Sequence, residues 1–200
     1  MLPPARELTS VTTLHTARLR LEPFADRHLD GLSAMNQRPE VMRYITGVPE
    51  SRAQTAAAIE RVQRCWAAWG TSWWAFIELG GGRVAGAGCI QHARRQAEPP
   101  ADLASLRDNP LEIGWRLHPD FWHRGLAGEA AERMAAFAFD ALAAEELIAM
   151  RDPDNAASAR VMDRLGMRYR GLEVWYGEPV PTHALAREDW LRQPRAAPQA

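Results

Sequence analysis

The stretch LEIGWRLHPDFWHRGLAGEAAERMAAFAFD, residues 111–140, carries the densest chemistry in the chain. It reads as a buried strand running into a loop with Gly125 and Gly128, and the loop opens a helix. Glycine lets backbone approach a ligand closely, while free N–H groups and the positive end of the helix dipole point at an anion. Arg124 adds a full positive charge beside them. The pattern fits a diphosphate cradle, and it fits equally a helix N-terminus whose glycine serves packing. A second cluster, Gly86-Ala87-Gly88-Cys89-Ile90-Gln91, begins like GxGxxG but lacks the third glycine and lies within a strand. The dinucleotide fingerprint therefore fails, and close backbone packing in a central strand is expected instead.

Composition removes several alternatives. All 24 basic residues are arginine, so a Walker A lysine, a Schiff-base lysine and a kinase strand lysine are all excluded. A net charge of -1 leaves no electrostatic footprint for nucleic acid or an anionic membrane. Cys65 and Cys89 are far apart and read as small buried hydrophobes, and the six histidines show no metal-ligand spacing, so no metal is expected. No apolar run approaches the roughly 20 residues of a spanning helix, and MLPPARELTS lacks a signal-peptide core. A cytoplasmic protein is expected.

The elements around the loop follow from periodicity. Leu19, Leu21 and Phe24 alternate with charged residues, which predicts a strand near 16–23, and Asp26 is positioned to cap a helix carrying Leu29, Leu32 and Met35. Ser51 and Gln54 form a capping-box pattern ahead of Ile59, Val62, Trp66 and Trp69, with Gly70 as a stop. A hairpin is expected from Trp73–Leu79 and Val84–Ile90 around three glycines. Segment 93–110 has no period and reads as a mobile insertion. A strand at 111–117, an amphipathic helix from Leu126, a short strand at 147–150, a helix from Asn155 to Leu165, and strands near 168–176 and 182–188 complete the chain. The order β-α-α-β-β-β-α-β-α-β-β implies an α/β fold, a mixed sheet covered on both faces. One domain is expected over residues 12–191, with a flexible 1–11 and a disordered 192–200.

These motifs together resemble the GNAT superfamily of acyl-CoA N-acyltransferases, especially its RimJ/RimL-like branch of ribosomal-protein N-terminal acetyltransferases. Trp122-His123-Arg124-Gly125-Leu126-Ala127 stands where the family has (Q/R)xxGx(G/A), followed by Glu129-Ala130. Thr16-Ala17-Arg18-Leu19-Arg20-Leu21 resembles its TeRLxLR opening, and Glu112-Ile113-Gly114-Trp115 its ElGYw strand. Asn155-Ala156-Ala157-Ser158 with Leu165-Gly166-Met167 resembles its NxxS…LGF helix. Three positions depart from the pattern. Trp122 replaces the first Gln or Arg, Met162 stands where many members carry a general-acid Tyr, and Arg170 stands where the branch often has an acid.

The resemblance implies a mostly antiparallel sheet, with acetyl-CoA as co-substrate slotted between two splayed central strands. Its pyrophosphate would rest on the N–H groups of His123, Arg124, Gly125, Leu126, Ala127 and Gly128, and a backbone N–H near Leu117 would polarise the thioester carbonyl. Glu112 is the candidate base for an amine acceptor, or else an ordinary strand carboxylate. Ser158 is the candidate acid for the leaving thiolate, and Asn155 is either a pantetheine contact or only a helix cap. Glu173, Tyr176 and His183 are weighed as acceptor-site residues, as are Trp66, Trp69, Trp73 and Trp74. The acceptor implied is a protein N-terminus or a small-molecule amine, and the protein a monomer or homodimer. A non-catalytic acyl-CoA-binding sensor is the alternative, and a nucleic-acid or membrane partner is not expected.

Overall fold

The computed structural model describes residues 11–193. Apart from Val11, Arg192 and Gln193, the expected N-terminal arm 1–11 and tail 192–200 lie outside the described residues. Eight strands form one sheet: β1 (Leu14–His15), β2 (Leu19–Pro23), β3 (Trp73–Glu78), β4 (Val84–His92), β5 (Leu111–Leu117), β6 (Glu146–Met150), β7 (Arg168–Trp175) and β8 (Glu178–Ala186). Their spatial order is β1-β2-β3-β4-β5-β6-β8-β7. Every neighbouring pair is antiparallel except β5 with β6. The helices are α1 (Leu29–Asn36), α2 (Pro39–Met42), α3 (Arg52–Trp69), α4 (Leu126–Asp140), α5 (Ala156–Leu165) and α6 (Arg187–Arg192). No described helix is long and apolar enough to cross a membrane.

The local signals act as their chemistry dictates. In α3 the Ser51 hydroxyl accepts from the Gln54 N–H at 3.2 Å, while the Gln54 side chain accepts from the Ser51 N–H at 2.7 Å. Gly70 ends that helix at φ +70°. Asp26, by contrast, does not cap α1. The chain enters through a 3-10 turn at Asp26–His28, where His28 Nδ1 accepts from the Ala25 N–H at 3.2 Å. Asp26 accepts from Gln63 instead. The two-residue β1, the four-residue α2 and the six-residue α6 are too short to show a period, and the sequence reading has no counterpart for them. In α6, which runs through Arg192, the buried Trp190 stacks on Phe139 of α4 with centroids 5.4 Å apart.

Alternation divides the sheet into two faces. On one, α4 packs Phe137 against Trp74 at 5.6 Å. A methyl added to Gly88 there would lie 2.5 Å from Phe76 Cζ and 2.7 Å from Met134 Cε, so this glycine is required by close packing. On the other face, Asn36 at the end of α1 meets Arg116 of β5 at 3.3 Å.

Segment 93–110 lacks a period but is well anchored. Its neck is closed by Ala93 N–H to the Pro110 carbonyl at 3.0 Å and by Asn109 Nδ2 to the Ala93 carbonyl at 2.7 Å. Trp69 of α3 donates to the Leu103 carbonyl, and Leu106 is buried. At the other side, the N–H groups of Tyr176 and Gly177, in the β7–β8 turn, donate to the carbonyls of Arg94 and Arg95.

Candidate active site

A break in the sheet supplies the frame. β5 pairs with β4 along its whole length, from Leu111 opposite His92 to Leu117 opposite Gly86. With β6 it pairs only at Leu111–Leu147 and Glu112–Ile148, after which the two strands part. The bond from His118 N–H to the Ala85 carbonyl, 2.9 Å, fixes the phase of the β4–β5 ladder. Residues 112, 114 and 116 therefore turn their backbone groups to β4, and Trp115 and Leu117 turn theirs toward the gap. The Leu117 carbonyl is occupied by Trp122 Nε1 at 2.9 Å, so its N–H is the group left facing the opening. A middle strand of an eight-stranded sheet should be covered on both faces, yet only Ile113 of β5 is buried. The splay is thus an open cleft lined by backbone donors.

At the wide end of the cleft the chain turns through His123 at φ +58° and Gly125 at φ +76° into α4. No side chain caps this helix, so the N–H groups of its first turn have no intrahelical partner. The loop is strapped from outside by Arg18. Its Nη1 donates to the Arg124 carbonyl at 2.8 Å, its Nε donates to Glu129 at 2.7 Å, and its own backbone N–H donates to the same carboxylate at 2.9 Å. Burial raises the Glu129 proton affinity, but hydrogen bonds from Thr16 and Arg18 outweigh it and hold the carboxyl below its ordinary value. Arg18 and Glu129 belong to two motifs more than a hundred residues apart, and neither stood out in the sequence as a site residue. Arg124 stays at the loop with its guanidinium 3.4 Å from Glu78. Beside the loop, between α4 and α5, lies a groove of about 430 Å³ lined by Gly125, Gly128, Glu129, Val161 and Arg164 among others. The unpaired N–H groups, the left-handed turn and the open strand edge suit an extended amide chain ending in a diphosphate.

At the narrow end, where β5 and β6 are still paired, stands Glu112. Its Oε2 accepts from Gln91 Nε2 at 3.2 Å and from the Tyr176 hydroxyl. Its Oε1 has no donor among the described residues, and it lies 3.9 Å from where a Cβ on Gly114 would be. One oxygen is thus pinned and the other faces the glycine next along the cleft. Burial pushes the Glu112 carboxyl above its ordinary value, against the opposing hydrogen bonds of Tyr176 and Gln91. Burial and the Glu112 charge in turn push the Tyr176 phenol up. Tyr176 reaches the site from a turn residue at φ +56°, and Arg94 covers its ring at 4.6 Å.

The remaining candidates separate. Asn155 caps α5, its Oδ1 accepting from the Ser158 N–H at 3.0 Å, while its Nδ2 and the Ser158 hydroxyl have no partner among the described residues. Met162 is in the core. Arg170 is bound by Glu173 and Glu146, so Glu173 is held in an ion pair on the edge strand. His183 lies opposite Ala149 and Tyr169, on the face away from Glu112. Of the tryptophans, Trp66 and Trp74 are buried against each other and Trp69 packs on His92. Among these four, Trp73 is the one on the Glu112 face, where it donates to Gln91 at 2.9 Å.

Residues 18–168 match the family model described as the acetyltransferase (GNAT) domain. FsC-acetyl coenzyme A-N(2)-transacetylase of Aspergillus fumigatus is 30% identical over 194 residues, covering 90% of this chain and 78% of that protein. Among solved structures, an acetyltransferase from Agrobacterium tumefaciens superposes with a TM-score of 0.72 at 24% identity, covering 88% of this chain and 95% of that one. Mycobacterium smegmatis RimJ, solved in complex with CoA-disulfide, gives 0.69 at 18% identity over 92% and 90% of the two chains. The chain belongs to the GNAT family of acetyl-CoA-dependent acetyltransferases.

Proposed function

We propose that the protein acetylates a primary amine by direct attack in a ternary complex, with Glu112 as general base. The observation that carries this reading is the divided carboxylate of Glu112, with Oε2 fixed by Gln91 and Tyr176 and Oε1 free at the narrow end of the splay. An alkyl amine is mostly protonated at neutral pH and cannot attack until a base removes a proton. A carboxylate whose proton affinity burial has raised is better matched to that task than an ordinary one. Acetyl-CoA, when bound, supplies the acetyl group as a thioester. The N–H groups of Trp115 and Leu117 and the side chain of Asn155 are assigned to its amide arm, and residues 123–128 to its diphosphate. The Ser158 hydroxyl is assigned the proton that the departing thiolate takes up.

The acceptor in this reading is the amine of a small molecule or of a protein N-terminus. The relative named as an N(2)-transacetylase supports an amine nitrogen, and Gly114, 3.9 Å from Glu112 Oε1 at its Cβ position, brings no side chain into the space beside the base. Glu112→Gln tests the reading, because the amide keeps the shape and loses the base. Thiol release from acetyl-CoA with an accepted amine should fall about 10²- to 10⁴-fold in kcat/KM and lose its acid limb, with acetyl-CoA affinity unchanged. An unchanged kcat/KM and pH profile would remove Glu112 from the chemistry.

A further inference from the structure

On the Glu112 face of β5, three residues stand in a row: Glu112, Gly114 and Arg116. Gly114 brings no side chain, and an added Cβ would meet only Cys89 Sγ at 3.3 Å and Glu112 Oε1 at 3.9 Å within 4 Å. The space above it is therefore open, with a carboxylate at one end and a guanidinium at the other. Four residues of strand set the Cα atoms of Glu112 and Arg116 about 13 Å apart.

Arg116 is held firmly but incompletely. Its Nε donates to Asn36 Oδ1 at 3.3 Å, and its guanidinium lies over the Trp73 ring at 4.6 Å. Asn36 is buried and is itself fixed by its amide, which donates to Glu50 at 2.9 Å. Among the described residues no carboxylate comes within 4 Å of Arg116, and its two Nη groups have no hydrogen-bond partner. Glu50 acts on it only from a distance, and burial disfavours its charge. A half-covered cation with its fork unused is costly unless something pairs with it. Guanidinium presents parallel N–H groups that match a carboxylate.

Building on the proposed function, we infer that Arg116 anchors a carboxylate of the acceptor, so that the substrate is an amino-carboxylate lying across Gly114 with its amine at Glu112. Trp73 and Asn36 orient the guanidinium, and Gly114 supplies the room. The polar chain Arg116–Trp73–Gln91–Glu112 links the two ends, so both recognition elements share one rigid surface.

The test uses the full chain, acetyl-CoA and two matched pairs of amines: 5-aminopentanoate with pentylamine, and glycylglycine with its C-terminal amide. At least one carboxylated member should exceed its neutral partner about tenfold or more in kcat/KM for thiol release. Arg116→Met should collapse that ratio to near one by raising KM for the carboxylated member rather than by lowering kcat. Arg116→Lys, which keeps the charge and loses the fork, should retain part of the ratio, and calorimetric acetyl-CoA binding verifies that both variants are folded. Equal kcat/KM within both pairs in the wild type overturns the inference and leaves the general-base reading standing. So does an Arg116→Met loss that falls equally on both members of a pair. Acetyl-CoA binding without thiol release to any amine would overturn the proposed function and this inference with it.

Discussion

The Arg18–Glu129 strap makes a quantitative demand on cofactor binding. Arg18 spans the loop, touching the carbonyl of residue 124 and the carboxylate of residue 129 in the first turn of α4. Nε and Nη2 both donate to Oε2, Nη2 at 2.6 Å, but the side chains are 48% and 20% exposed. Solvent screening at that exposure limits the pair to about 1 kcal/mol, near the top of the range for surface ion pairs. If the strap holds the loop in its binding shape, losing it dilutes the competent population and weakens acetyl-CoA by up to about fivefold. Two variants separate this from simple electrostatics. Glu129→Gln removes a negative charge beside a diphosphate site, so charge alone predicts tighter binding, whereas the strap predicts weaker binding. Arg18→Met loses both the strap and a cation and should weaken binding most. In calorimetry of wild type, both single variants and the double, the double should be no weaker than Arg18→Met, since the shared contact is already gone. Tighter binding by Glu129→Gln, or fully additive losses, would refute the strap.

Four further outcomes follow from the geometry. Tyr176→Phe removes a hydrogen bond that favours the ionised Glu112, so the carboxyl's proton affinity rises and the acid limb of kcat/KM should move to higher pH; a shift to lower pH contradicts the assignment. Asn155→Asp keeps the acceptor that caps Ser158, so thermal stability should hold while acetyl-CoA affinity drops; unchanged affinity would mean that Asn155 only caps. Gly88→Ala forces a methyl onto Phe76 and Met134 and should cost about 1–3 kcal/mol in denaturant unfolding. Glu22 is held at about 2 by Arg27, Arg20 and His28 against the cost of burial. Because its folded value lies below the unfolded one, that stability is present above about 4.5 and lost as pH falls toward 2; Glu22→Gln should flatten this part of the acid-unfolding curve.

The elements that position the site were legible because each carries its own local signal. The Ser51–Gln54 box, the strand at 111–117 and the Asn155–Gly166 helix all stand where their residues place them. Asp26 misled because His28, two residues on, closes the entry turn instead by accepting from the Ala25 N–H. The Glu112–Tyr176 contact was half visible, since Glu112 lies on a recognisable strand. Tyr176 arrives from a turn whose docking depends on the carbonyls of Arg94 and Arg95, and no periodicity encodes that. The face of His183 was illegible for a simpler reason. Alternation assigns a face only once the register against β6 is known, and the register puts it opposite Ala149. Arg116 carried no motif at all, because its distinction is the lack of a counter-ion within ion-pair distance among the described residues.

The two-position ladder between β5 and β6 also makes the sheet a pair of leaves, five strands on one side and three on the other, joined at a short seam. An extended ligand lying along the seam would act as a stitch, giving the idle N–H groups of Trp115 and Leu117 a partner. Amide exchange at those two positions should then slow when acetyl-CoA is added, while amides within β2 and β3 stay as they were. The leaves would also unfold more as one body, so saturating ligand should sharpen the melting transition as well as raise it.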